Sequence, residues 1–253
     1  MPIVRRGIRM LVAMVLLVLA LLTAVATTVL VRRGVLRWAG SLALIAVAML
    51  TAGVAELTDN VVDRDGATGI DTTTMNWVVP HRTGWLTPIA KAISDLGDTT
   101  TMAAVAAAAC AWFAYRRRWP QLLLTGTATA GAGLIVVTLK AIVGRQRPPV
   151  VDRLVTETNQ SYPSGHTLGS TVVVGVLTAL VILAVRRRAV QIAVGVTAAA
   201  FVTLVGLSRL YLGVHWPTDV LAGWAIGTLW ATVCLAAYLR LRRPATTTSA
   251  QPA

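Results

Sequence analysis

The feature that most restricts what this chain can become is a recurrence of long apolar runs, each closed by arginines. The runs occupy about 9–31, 36–55, 99–115, 121–143, 167–185, 189–207 and 218–239. A helix needs about 20 residues to cross a bilayer, so each run is a candidate span and 99–115 is the marginal one. The chain is 56% hydrophobic and only 13% charged, with a mean hydropathy of +0.70, far from the balance of a soluble domain. The expected fold class is therefore all-α, a polytopic bundle of membrane helices.

Charge placement supports the same reading. The net charge of +13 is carried almost wholly by arginine, at Arg5, Arg6 and Arg9, at Arg32, Arg33 and Arg37, at 116–118, at 186–188, and at Arg240, Arg242 and Arg243. Basic residues at the ends of apolar runs are membrane-flank charge and not a nucleic-acid patch. Short arginine-rich loops stay on the cytoplasmic side, which sends 56–98, 144–166 and 208–217 to the other face. Seven crossings would then demand an outside N-terminus, against the charge of Arg5, Arg6 and Arg9: either the first run does not cross as a normal helix, or the number of crossings differs by one, or the whole orientation is reversed. The first run is set apart as a segment 1–35, a signal-anchor or an additional spanning helix. Ala24-Val25-Ala26 has the small-x-small form of a cleavage site, but the run continues through Val31, which favours an uncleaved helix.

Residues 36–243 form the main domain, and the tail 244–253, rich in Thr, Pro and Ala, is expected to be disordered. The insert 56–98 carries Glu56, Asp59, Asp63, Asp65, Asp71, Asp95 and Asp98. Within it TPIAKAISDLG predicts a short amphipathic helix on the membrane surface, with Ile89, Ile93 and Leu96 as its apolar positions. Cys110 and Cys234 sit inside apolar runs and read as packing residues. His81 has no constellation around it and reads as a surface residue.

Three polar clusters break the apolar pattern: Lys140 with Arg145, Arg147 and Pro148; Pro163 to His166; and Ser208, Arg209, His215 and Asp219. The first two share a loop and the third follows two further crossings, so all three lie on one face of the membrane. Lys140, Arg147 and Arg209 bring three positive charges, and guanidinium forks match phosphate oxygens. Ser164-Gly165-His166 opens a helix, whose free amides and dipole favour an anion. His215 and Asp219 are four apart, on one face of a helix start, where a carboxylate can fix the imidazole tautomer. Each piece has an ordinary use: Lys140 can snorkel, the arginines can flank, and Ser164 can merely cap. Ionisable groups converging at membrane depth nonetheless mark a functional site.

KAIVGRQRP (140–148), PSGH (163–166) and SRLYLGVHWPTD (208–219) resemble, in order and spacing, the three-part signature of the type 2 phosphatidic acid phosphatase superfamily. That group includes membrane lipid phosphate phosphatases, polyprenyl diphosphate phosphatases, glucose-6-phosphatase and vanadium haloperoxidases. The resemblance covers about residues 36–239 and implies a six-helix phosphatase core, to which 9–31 is additional. It implies that His215 attacks phosphorus and becomes a phosphohistidine, that Asp219 orients it, and that His166 protonates the leaving group and then activates water. Lys140, Arg147, Ser164, Gly165 and Arg209 would hold the phosphoryl oxygens. No metal or cofactor is implied, since lysine and arginine supply the positive charge. The expected partner is a membrane lipid with its tail in the bilayer, with no role for nucleic acid.

An undecaprenyl-type diphosphate is the favoured substrate, because the outward-facing site and the arginine-rich, lysine-poor composition suggest a bacterial plasma membrane with the site on its extracytoplasmic face. Phosphatidylglycerophosphate and phosphatidate are the alternatives, with Arg145, Asp152, Arg153 and Glu157 placed to shape headgroup choice. Vanadium-dependent halide oxidation is a second enzyme reading. A non-catalytic lipid-binding or transport protein is a reading of another class.

Overall fold

The computed structural model describes residues 39–63 and 68–242, with 39–46 described by backbone course alone. The segment 1–35 and the tail 244–253 lie outside the described residues. Eight α-helices carry the fold: α1 (Ala39–Asp63), α2 (Gly69–Val78), α3 (Leu86–Leu96), α4 (Thr99–Tyr115), α5 (Trp119–Val143), α6 (Gly165–Ala184), α7 (Arg188–Tyr211) and α8 (Pro217–Leu241). Among the described residues there is no strand, and α5, α6, α7 and α8 are long and apolar enough to cross a membrane.

Local chemistry sets the helix ends. Pro120 lies in the first turn of α5, where its missing N–H costs nothing. The helix stops at Gly144, whose left-handed φ of 59° lets its N–H reach Lys140 O at 3.0 Å. Asp98 caps α4 by accepting the Thr100 N–H at 2.9 Å. Ser164 caps α6 by accepting from Thr167 N at 3.4 Å. Asp219, in the first turn of α8, accepts the Trp216 N–H at 2.9 Å. Two of the motif residues, Ser164 and Asp219, thus sit at helix starts because they also satisfy orphan donors there.

α6 is the axis of the bundle, packed by α4, α5, α7 and α8. Its Leu168, Val172, Val176 and Leu180 meet Ile226 and Leu229 of α8 in the main core. Lipid gives no hydrophobic drive between helices, so close backbone approach must supply the attraction. Gly223 and Gly227 permit it. A Cβ at Gly223 would lie 2.8 Å from Thr167 Cβ and 3.1 Å from Ser164 O, and one at Gly227 would lie 2.9 Å from Thr171 Cβ. This contact anchors the start of α6 against the start of α8, where the motif residues are.

Two expectations for the insert are corrected. α1 runs through residue 63 and not to 55, because Val54, Thr58 and Val61 continue one buried face; the Thr58 hydroxyl is satisfied by Val54 O at 2.7 Å and the Tyr162 hydroxyl at 2.6 Å. The insert also holds two helices, not one. α2 was hidden by its Thr-rich sequence and short apolar content; it turns Asp71 and Met75 inward. α3 occupies the expected TPIAKAISDLG stretch, with Ile89 and Leu96 exposed, but its Ala90 and Ser94 are buried and dock it on α7. His81 is exposed and stacked on Trp77, and Cys110 and Cys234 are free thiols.

Candidate active site

Lys140 lies in the last turn of α5, Arg147 in the loop after it, Ser164 at the cap of α6, and Gly165 and His166 at that helix's first two positions. Arg209 lies in the last turn of α7, His215 in the turn after it, and Asp219 in the first turn of α8. Alternating helix directions deliver all of them to one end of the bundle.

His215 is 1% exposed. Its Nδ1 faces Asp219 Oδ2 at 3.4 Å and its Nε2 faces Arg147 Nη1 at 3.1 Å. A proton on Nδ1 directed at the carboxylate leaves Nε2 with its lone pair, which is the nitrogen pointed toward the cations. Burial pushes the imidazole down to about 3, against the pull of Asp219 and helped by Arg147 and Arg209. His215 is therefore neutral at pH 7. Asp219 is held from several sides: Ser161 donates its hydroxyl to Oδ2, and Arg145 reaches Oδ1.

Three cations lie at this end of the bundle, Arg147 against His215 itself. Arg147 donates to Val214 O at 2.6 Å and to Asn159 O at 2.7 Å, and burial lowers its guanidinium to about 10. Arg209, 2% exposed, donates to Ser94 Oγ at 2.6 Å and pairs with Glu157. Lys140, 8% exposed, donates to Asn159 Oδ1 at 3.3 Å and to Gln160 O. Ser164 is buried, its Oγ taken by Thr167 and its N–H by Asp219 O at 3.1 Å. The amides of Gly165 and His166 precede the first turn's hydrogen bonds and have no intrahelical acceptor.

The structure adds partners that the sequence reading did not single out. His166 Nε2 faces Asp98 Oδ1 at 3.1 Å, while Thr100 holds the other oxygen, Oδ2. Burial opposes the charge on Asp98, but the Thr100 hydroxyl and amide, together with His166, hold its carboxyl below the usual range. Asp71, 1% exposed, accepts from Thr218 N at 3.0 Å and Thr218 Oγ1 at 2.8 Å and pairs with Arg145. Arg145 is thereby held between Asp71 and Asp219. Asp98 and Asp71 stood among the seven acids of the insert, and neither carried a mark of its role in the sequence. Beside Arg147 a cavity of about 630 Å³ opens between the ends of α1, α2 and α5, walled by Val61, Val62, Val143, Arg145 and Trp216.

A family model described as the PAP2 superfamily matches residues 121–243. Phosphatidylglycerophosphatase B of Bacillus subtilis is 34% identical over 157 residues, 58% of this chain and 73% of that protein. The chain belongs to the PAP2 superfamily. A further PAP2-type relative, the decaprenylphosphoryl-5-phosphoribose phosphatase of Mycolicibacterium smegmatis, is 38% identical over 140 residues, 53% of this chain and 69% of that protein. The crystal structure of a transmembrane PAP2 type phosphatidylglycerolphosphate phosphatase from Bacillus subtilis superposes with a TM-score of 0.71 at 27% identity, covering 78% of this chain and 98% of that one. This PAP2 protein is an integral-membrane lipid phosphatase, with the all-helical architecture of that neighbour.

Proposed function

We propose that this PAP2 phosphatase removes the terminal phosphate of a membrane lipid through a phosphohistidine at His215, on the extracytoplasmic face of a bacterial plasma membrane. The observation that carries the proposal is the orientation of His215, with Nδ1 on Asp219 and Nε2 turned to Arg147, which shares Asn159 with Lys140 and Glu157 with Arg209. In the first step the Nε2 lone pair forms a bond to phosphorus while the bond from phosphorus to the leaving oxygen breaks, and His166 gives that oxygen a proton. In the second step His166 takes a proton from water, the water oxygen bonds to phosphorus, and the P–N bond breaks to restore His215.

In the trigonal bipyramidal transition state of each step the three equatorial phosphoryl oxygens carry the charge, and Lys140, Arg147, Arg209 and the amides of Gly165 and His166 would stabilise it. Asp98 supports the scheme by holding His166 Nε2, which leaves Nδ1 for the substrate and the water. The cavity beside Arg147 would take the headgroup beyond the phosphate, with its valines leading toward the bilayer.

An undecaprenyl-type diphosphate is the leading substrate, supported by the composition and by the decaprenyl-linked substrate in the name of the mycolicibacterial relative. Phosphatidylglycerophosphate is the second reading, favoured by the likeness to the Bacillus subtilis proteins. The test is a phosphate-release panel in detergent with chelator present, over undecaprenyl diphosphate, phosphatidylglycerophosphate and phosphatidate. Release from one of them, lost by at least about 10³-fold in His215→Ala with the fold intact, is the expected result. No release from any lipid, or unchanged activity in His215→Ala, refutes the scheme.

A further inference from the structure

Counting donors shows that the protein itself engages the Arg147 side of the phosphoryl cradle. Arg147 has five N–H groups and all are engaged. Nε donates to Asn159 O at 2.7 Å, Nη1 to Val214 O at 2.6 Å and His215 Nε2 at 3.1 Å, and Nη2 to Glu157 Oε2 at 3.3 Å and Asn159 Oδ1. The other Glu157 oxygen, Oε1, accepts from Arg209 Nη2. One carboxylate therefore spreads its two oxygens over the two guanidiniums assigned to the phosphate. Arg209 Nε stays buried with no partner among the described residues.

We propose that Glu157 is a specificity-determining residue: its carboxylate holds the phosphoryl position of the empty site, and a terminal phosphate displaces it while a phosphodiester headgroup does not. The inference rests on the reading of Lys140, Arg147 and Arg209 as the phosphoryl-binding groups. Two physical differences separate the ligands. A phosphodiester carries one negative charge, the same as the carboxylate it would replace, so the exchange gains little electrostatic attraction. It must also compete with a tethered group of high local concentration. A terminal phosphate carries about −1.5 to −2 at pH 7 and gains on exchange.

Oxygen count gives the second difference. A carboxylate and a phosphodiester each offer two unbridged oxygens, whereas a terminal phosphoryl group offers three. The third can accept from Arg209 Nε, a donor that Glu157 leaves unsatisfied and that is costly to bury alone. Displacement is structurally feasible because Glu157 lies in an irregular segment between the 3₁₀ turn Val150–Asp152 and α6, with its side chain 20% exposed. A bilayer presents diester lipids to this site in large excess, so a filter of this kind keeps the cradle available for the substrate.

The experiment compares wild type with Glu157→Gln and Glu157→Ala, using dioctanoyl phosphatidylglycerol as the diester probe. Binding is read by thermal shift in detergent, which needs no turnover, and by inhibition of phosphate release from dioctanoyl phosphatidate or another lipid that the wild type hydrolyses. Both variants are expected to bind the diester at least about tenfold more tightly than wild type and to be inhibited at correspondingly lower concentration. Equal diester binding by wild type and both variants overturns the inference. A wild type that binds but releases no phosphate from any lipid refutes the phosphatase scheme instead, so the two failures are separable.

Discussion

At His215 the surroundings decide the protonation state before any ligand arrives. Burial holds the folded-state value at about 3, below the ordinary histidine value of about 6.5. The unfolded chain binds this proton below about pH 6.5, whereas the folded protein does not until about 3. His215 therefore contributes stability above pH 6.5, and that contribution is lost as pH falls from 6.5 toward 3. The thermal midpoint of wild type should drop more steeply between pH 6.5 and 4 than that of His215→Asn, which has no proton to gain; parallel slopes would contradict the assignment. Asp98 predicts a different signature. Asp98→Asn keeps the cap on Thr100 N but removes the charge facing His166, so kcat should fall about tenfold with KM little changed and the pH profile displaced. A loss confined to thermal stability would reduce Asp98 to a helix cap.

Among the elements, α2 shows what a sequence can and cannot disclose. Its Asp71 pairs with Arg145 and satisfies both Thr218 N and Oγ1, which ties the insert to the first turn of α8 and so to Asp219. Asp71→Ala would remove one of the two carboxylates paired with Arg145 and leave the buried Thr218 amide without its acceptor, and a loss of about 3 kcal/mol is expected, read as a lowered midpoint in detergent. The long spans were legible because lipid demands uninterrupted apolar length, and the motif residues were legible because their order and spacing are distinctive. α2 was not, since its position depends on two buried polar contacts with residues 74 and 147 positions away, and no local period records them. Asn159 was hidden for a related reason, and Glu157 stood out as a headgroup-shaping residue without its partners Arg147 and Arg209. They act through an irregular loop, where charge alone does not show which cation a side chain meets. The α6–α8 contact was also unmarked, although Gly223 and Gly227 stand four apart on one face. Gly223→Val should cost about 1–3 kcal/mol and lower activity as well, because the same contact sets the spacing of Ser164 and Asp219.

Across the whole molecule the two ends of the bundle carry different chemistry. α5 begins just after Arg116–Arg118 and carries Lys140 in its last turn, α6 carries His166 in its first turn and ends before Arg186–Arg188, and α7 and α8 repeat the alternation, with Arg209 in the last turn of α7, Asp219 in the first turn of α8 and Arg240 in its last. The site-bearing end pairs its cations with Asp71, Asp98, Glu157 and Asp219, whereas the loop cations at the other end, Arg116–Arg118 and Arg186–Arg188, are exposed. Uncompensated arginines in short loops are retained on the cytoplasmic side, which supports the proposed extracytoplasmic position of the site. Water for the second step and the released phosphate would then belong to the extracytoplasmic space, as suits a lipid carrier that gives up its cargo there. Single cysteines test this in a background with Cys110 and Cys234 replaced. Gln160→Cys, exposed near the site, should react with an impermeant maleimide in intact bacterial cells. Ala189→Cys, exposed at the opposite end, should react only after the membrane is opened. The reverse pattern would put the site in the cytoplasm and remove the main support for an undecaprenyl-type substrate, while leaving the chemistry of His215 untouched.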